Sequence, residues 1–309
     1  MTATHPTDRA SPVSPGEPGC APPARAFHAP LFVLGALTAA MLWSYWPVAT
    51  ELARDWKSNE DYSAGVFVPI VAAVLIWFRR AELSRIVARP CLWAIALVLA
   101  AELVRYWGLR ELRQSVERYA MVLEFIGLAW LVMGTRWTRA NFWVLAFLFL
   151  MVPLPGTVHS AIADPMQSQA TGAANFVLEL LGIVVTREGN TLTLNHRIRV
   201  GIVEACSGLR MMTTFLVVAC FLALSIRRPI WQRVGLVVSS VPVAIVCNVV
   251  RIVATAVLLL ATDGSRTVET LFHDFAGYAM MPVAVLLLAA ELWFFRRLVI
   301  EDRANPATT

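Results

Sequence analysis

Apolar runs separated by short polar loops dominate this chain. They fall near 31–49, 65–78, 91–107, 118–133, 140–154, 207–226, 234–261 and 273–295. A helix needs roughly 20 apolar residues to cross about 30 Å of hydrocarbon, so the pattern predicts an all-α polytopic membrane protein of about eight transmembrane helices, the second of them short. Residues 1–29, rich in Pro, Ala, Ser and Thr and without apolar periodicity, are expected to form a disordered cytoplasmic tail. The transmembrane domain is assigned to 30–297 and a cytoplasmic C-terminal tail to 298–309. The first apolar run follows a tail too long for an ordinary signal peptide and ends in aromatic residues, which reads as an uncleaved anchor.

The segment between the fifth and sixth runs has a different pattern. Residues 157–181 read as an extracytoplasmic amphipathic helix lying in the interface, with a break expected at Pro165. Residues 183–203 alternate polar and apolar positions, as in Thr191-Leu192-Thr193-Leu194, around the turn signal Glu188-Gly189-Asn190. That alternation predicts a short β-hairpin leading directly into Cys206, a small surface feature able to present a peptide there.

Composition agrees with the pattern: 58% of residues are hydrophobic and 15% charged, too little charge for a soluble domain of 309 residues. The net charge of +5 is carried by arginine, Lys57 being the single lysine. In such a chain positive residues report topology. Arg79, Arg80, Arg85 and Arg89, then Arg136 and Arg139, then Arg227, Arg228 and Arg233, and finally Arg296, Arg297 and Arg303 occupy alternate loops. These loops are expected in the cytoplasm together with both termini. Intervening loops are acidic or mixed, through Glu51, Asp55, Glu60, Asp61, Asp263 and Glu269; Arg110 and Arg113 are the exception, partly balanced by Glu111 and Glu117. No basic stretch interleaved with aromatics suggests a nucleic-acid surface.

Five cysteines give no CxxC pair and no zinc spacing. The histidines are scattered and no glycine-rich phosphate loop occurs, so neither a metal nor an organic cofactor is expected. Cys91, Cys220 and Cys247 lie in apolar surroundings and read as inert packing. Cys206 differs. It sits in Val203-Glu204-Ala205-Cys206-Ser207-Gly208-Leu209-Arg210, where a polar loop becomes an apolar helix.

Two further costly residues fall at a matching depth. Arg251 lies roughly 17 residues into the seventh run, or roughly 25 Å across at 1.5 Å per residue, and His273 opens the eighth at its outer end. A membrane arginine costs about 2.5–3.5 kcal/mol on insertion scales. Taken singly, Cys206 could pack, Arg251 could snorkel or pair, and His273 could be a solvated helix start. Their common depth favours one site. There Cys206 is the nucleophile, its thiol acidified by a helix N-terminus and a nearby cation. Arg251 stabilises the oxyanion, and His273 is the general acid and base. Gly208 lets a substrate backbone approach, and Asn248, three residues before Arg251, orients the guanidinium. Ser207 is an alternative, weaker nucleophile.

At these residues the sequence resembles the exosortase/archaeosortase family. The resemblance includes Asp61-Tyr62-Ser63-Ala64-Gly65, Val152-Pro153-Leu154-Pro155, the stretch from Gly182 to Asn190, Ala205-Cys206-Ser207-Gly208-Leu209-Arg210, Asn248-Val249-Val250-Arg251-Ile252 and Phe272-His273. It implies a multi-pass cysteine protease or transpeptidase of the bacterial inner membrane with its active site on the periplasmic side. Its substrates would be membrane-anchored proteins whose C-terminal sorting signal comprises a short motif such as Pro-Glu-Pro, one membrane helix and a basic end. It also implies catalytic roles for Cys206, Arg251 and His273, a supporting role for Tyr62, and a link to exopolysaccharide or surface-protein assembly. Two departures stand out. Ala64 replaces a histidine frequent in relatives, and the chain lacks the soluble C-terminal domain fused in some of them, which implies a separate soluble accessory protein. A reading from another class is a non-enzymatic carrier or assembly factor for a polysaccharide, in which Arg251 binds a phosphate or sugar acid.

Overall fold

A computed structural model describes residues 25–201, 208–226, 228–262 and 282–293. The architecture is helical with one small sheet, as expected for a predominantly α membrane protein. Among the described residues two helices are long and apolar enough to cross a bilayer, Asp61–Phe78 and Ile230–Ala261; counting two sharply bent helix pairs as single spans raises this to four. Among the described residues, length and composition therefore bear out two of the eight expected spans, or four with the bent pairs, and the reasons lie in particular residues.

Prolines make the bends. Ala29–Ser44 and Trp46–Ser58 meet at 80°, with Pro47 at the start of the second helix, where its missing N–H is tolerated. Phe142–Met151 and Gly156–Leu180 meet at 83° across Val152-Pro153-Leu154-Pro155. Proline biases the residue before it away from helical backbone, which suits this connection to an extended path.

Charge sets the next pair apart, and the first of the two is also short, at 17 residues. The helices Ala94–Arg110 and Gln114–Met133 pack along each other with a three-residue link between them. They carry Glu102, Arg105, Glu117, Arg118 and Glu124 within their length. The structure turns several of these inward: Glu117, Arg118 and Glu124 are buried. Arg118 donates to Asp55 at 2.6 Å. Arg105 donates to the Ser44 hydroxyl and carbonyl at 2.8 Å each, and its guanidinium stacks 3.9 Å from the Tyr45 ring centroid. These contacts pin the first bend against the helix pair. The helix Leu209–Ser225 has 17 residues, and Pro282–Trp293 is a further short apolar helix.

Two expectations for the segment after the second bend change. Pro165 does not break the helix, which runs continuously over Gly156–Leu180. A stripe of Ala163, Gln167, Ala170, Thr171, Ala174 and Leu178 is buried along it, and part of this stripe packs on Ile252, Ala256 and Leu259 of the long helix. Tertiary burial on both sides of the proline outweighs its lost hydrogen bond. Instead of a two-stranded hairpin there are three antiparallel strands, β1 (Val185–Glu188), β2 (Thr191–Leu194) and β3 (Ile198–Gly201), in the order β1-β2-β3. Glu188 pairs with Thr191 across Gly189-Asn190, and Gly189 has the positive φ of 63° that such a tight turn requires. Leu192, Leu194 and Val200 are buried against the 156–180 and 230–261 helices, so the sheet is clamped to the framework immediately before residue 206.

Candidate functional site

The long helix 230–261 has one buried face, marked by Gln232, Leu236, Ser240, Ala244, Asn248, Arg251, Ile252, Ala256 and Leu259. Steps of three and four residues are those of a single helical stripe. Asn248 and Arg251 share that stripe and are 1% and 5% exposed, so Arg251 does not snorkel to the surface. Thr255 donates its hydroxyl to the Arg251 carbonyl at 2.8 Å.

Gly208 caps the N-terminus of the 209–225 helix and lies against this face. Its φ of −23° makes no demand for glycine; its surroundings do. A Cβ there would stand 3.0 Å from Asn248 Nδ2, with Asn248 Cγ and Met166 Cε at 3.7 Å. The glycine expected to admit a substrate thus admits the Asn248 carboxamide. Of the predicted residues, Gly208 and Asn248 meet, and Arg251 follows Asn248 one turn along the same buried stripe. Cys206, Ser207 and His273 lie outside the described residues; the first two directly precede Gly208 in the chain.

Asn248 does not orient the Arg251 guanidinium through a hydrogen bond. Its Nδ2 and Oδ1 are both buried and neither has a hydrogen-bond partner. An unsatisfied buried polar group costs about 1–3 kcal/mol. A carboxamide leaving both ends unused is therefore an expensive feature, of the kind concentrated at functional sites.

Tyr62 sits on a 3-10 helix, Glu60–Val66, whose start is fixed by Asn59 Oδ1 accepting from the Asp61 N–H at 3.0 Å. Its hydroxyl shares a 2.6 Å hydrogen bond with Nδ1 of His159, on the first turn of the 156–180 helix. His159 Nε2 lies 3.8 Å from Asp61 Oδ2. The Asp61 carbonyl in turn accepts from the Thr213 hydroxyl at 2.8 Å, which ties this cluster to the helix that begins at Gly208. Thr213 is five residues along that helix, a rise of roughly 7.5 Å. Sequence reading missed His159 and Thr213. The only local signal for His159 was its place just after a proline-rich break, and its partner Tyr62 is 97 positions away. Ala64 is buried among Val68, Ala72 and their neighbours. Of the other cysteines, Cys220 packs in one apolar cluster and Cys247 in another.

No curated protein and no solved structure matches this sequence. The family profile of transmembrane exosortases does, over residues 56–290. That stretch spans the Tyr62 cluster, positions 206 to 208 and the buried pair on the long helix. Matched over most of its length, the chain belongs to the transmembrane exosortase family.

Proposed function

We propose that this protein is a cysteine endopeptidase and transpeptidase that removes C-terminal sorting signals from exported, membrane-anchored proteins, in the service of exopolysaccharide or surface-protein assembly. The observation that carries this is the burial of Asn248 and Arg251 one turn apart on a single helix face, with Asn248 against Gly208, two residues after Cys206. A fixed cation in a water-poor setting stabilises an oxyanion well.

The reaction uses few groups. His273 takes the proton of the Cys206 thiol, and the thiolate attacks the scissile carbonyl. Arg251 faces the negative charge that develops on oxygen. Collapse expels the amine of the tail, which takes its proton from His273, and leaves a thioester on Cys206. An amine or water then resolves the thioester. Both chain termini lie in the cytoplasm and the thiol on the periplasmic side of the inner membrane, consistent with the arginine-bearing loops and with a substrate whose basic end remains inside. The substrate arrives within the bilayer through its own helix.

Co-expression with a protein bearing such a tail tests this. Wild type should convert the substrate to a shorter form on a blot. Cys206→Ala should leave it uncut, and Cys206→Ser should be crippled. A polysaccharide carrier would instead tolerate Cys206→Ser.

A further inference from the structure

We propose that Asn248 is a catalytic residue whose carboxamide docks the scissile peptide. Nδ2–H donates to the carbonyl oxygen as it becomes an oxyanion, while Oδ1 accepts from an adjacent backbone N–H of the substrate. This rests on the thiol reading above and adds to it a residue that touches the reacting atoms.

Among the described residues Asn248 alone has two side-chain polar atoms that are both buried and unpartnered. A carboxamide presents a donor beside an acceptor, complementary to the C=O and N–H that one residue of an extended chain turns to the same side. The orphaned donor faces the N-terminus of a 17-residue helix, where backbone N–H groups favour developing negative charge. Gly208 has no side chain to press on Nδ2, whereas an added Cβ would stand 3.0 Å from it. Arg251 follows one turn later on the same buried face. A donor idle in the resting protein and satisfied only when charge appears on the substrate meets the requirement of a preorganised oxyanion site.

The step balances without further reagents. The sulfur electron pair forms the C–S bond while the carbonyl π pair moves onto oxygen, which Nδ2–H and Arg251 stabilise. The pair then returns, the C–N bond breaks, and the leaving amine takes the proton that His273 holds. Asn248 keeps its hydrogens throughout.

The test uses full-length protein and a tail that wild type cleaves, comparing Asn248→Leu and Asn248→Asp with Cys206→Ala. Asn248→Leu should slow first-turnover cleavage by about 10²–10³-fold while its melting temperature equals or exceeds that of wild type, because removing an unsatisfied amide relieves a penalty. Asn248→Asp, of the same shape but lacking the donor, should show the same loss. Wild-type cleavage in both variants would overturn the inference. So would a lowered melting temperature in both, which assigns Asn248 to structure. Cleavage by Cys206→Ala would overturn the thiol reading instead; a loss confined to cleavage in the Asn248 variants would then still assign this residue to the carbonyl.

Discussion

At the scale of residues, a guanidinium and a carboxamide occupy a helix face that is otherwise almost wholly apolar or small. Burying the carboxamide with neither end hydrogen-bonded is unfavourable, and Gly208 lies against it. Arg251→Ala should lower tail cleavage by roughly 10²–10³-fold, with Arg251→Lys recovering little because an ammonium does not reproduce the planar fork; both are read by blot against protein amounts in the membrane. Gly208→Ala should impair cleavage more than it impairs stability, since its methyl meets the mobile end of one side chain rather than backbone. Comparing initial cleavage rates with melting temperatures checks this. Much of this face was legible from sequence. The three-residue spacing places Asn248 and Arg251 together, and a membrane arginine is conspicuous in an apolar run. The hydrogen bond between Tyr62 and His159 was not legible, because no local periodicity reports a contact across 97 positions. Nor was the idleness of Asn248, which depends on what its neighbours fail to offer.

At the scale of elements, the small sheet is the least expected part of the framework. Thr191-Leu192-Thr193-Leu194 shows strand alternation plainly, and the turn residues locate β1 and β2. The third strand follows from Asn195 and His196, which adopt positive φ values of 48° and 57° and return the chain for another pairing. Neither residue type demands that geometry, so sequence alone suggested one hairpin fewer. Leu192 is wholly buried between the sheet and two helices. Leu192→Ala should therefore destabilise the protein by about 2–5 kcal/mol, measurable as a lowered melting temperature in detergent. Conversely, Pro165 reads as a helix breaker, and a buried stripe on both sides of it keeps the helix whole.

At the scale of the whole molecule, hydrophobic runs correctly announce a helical membrane protein, and among the described residues two to four of the runs form spans by length and composition. Bends at Pro47 and at Pro153 and Pro155 split two runs. The helices 94–110 and 114–133 carry ionisable residues, and three of the residues they contribute to the interior, Glu117, Arg118 and Glu124, are buried. Hydropathy averages over a residue whichever way it points, so an inward charge weakens a span's signal without preventing the span. The arginine-bearing loops make a separate claim about sidedness. In a cysteine-free background, an impermeant thiol reagent added from the periplasmic side should label Asn195→Cys and spare Ser84→Cys, both positions being exposed. The reverse pattern would invert the topology and move the thiol to the cytoplasmic face.

The most direct measurement is cleavage of a co-expressed membrane-anchored protein with a C-terminal sorting signal, chosen because the wild-type protein processes it. The account predicts that Cys206→Ala accumulates in the membrane at normal levels and leaves the substrate at full length. A shortened substrate appearing at the wild-type rate in cells that carry Cys206→Ala would contradict it.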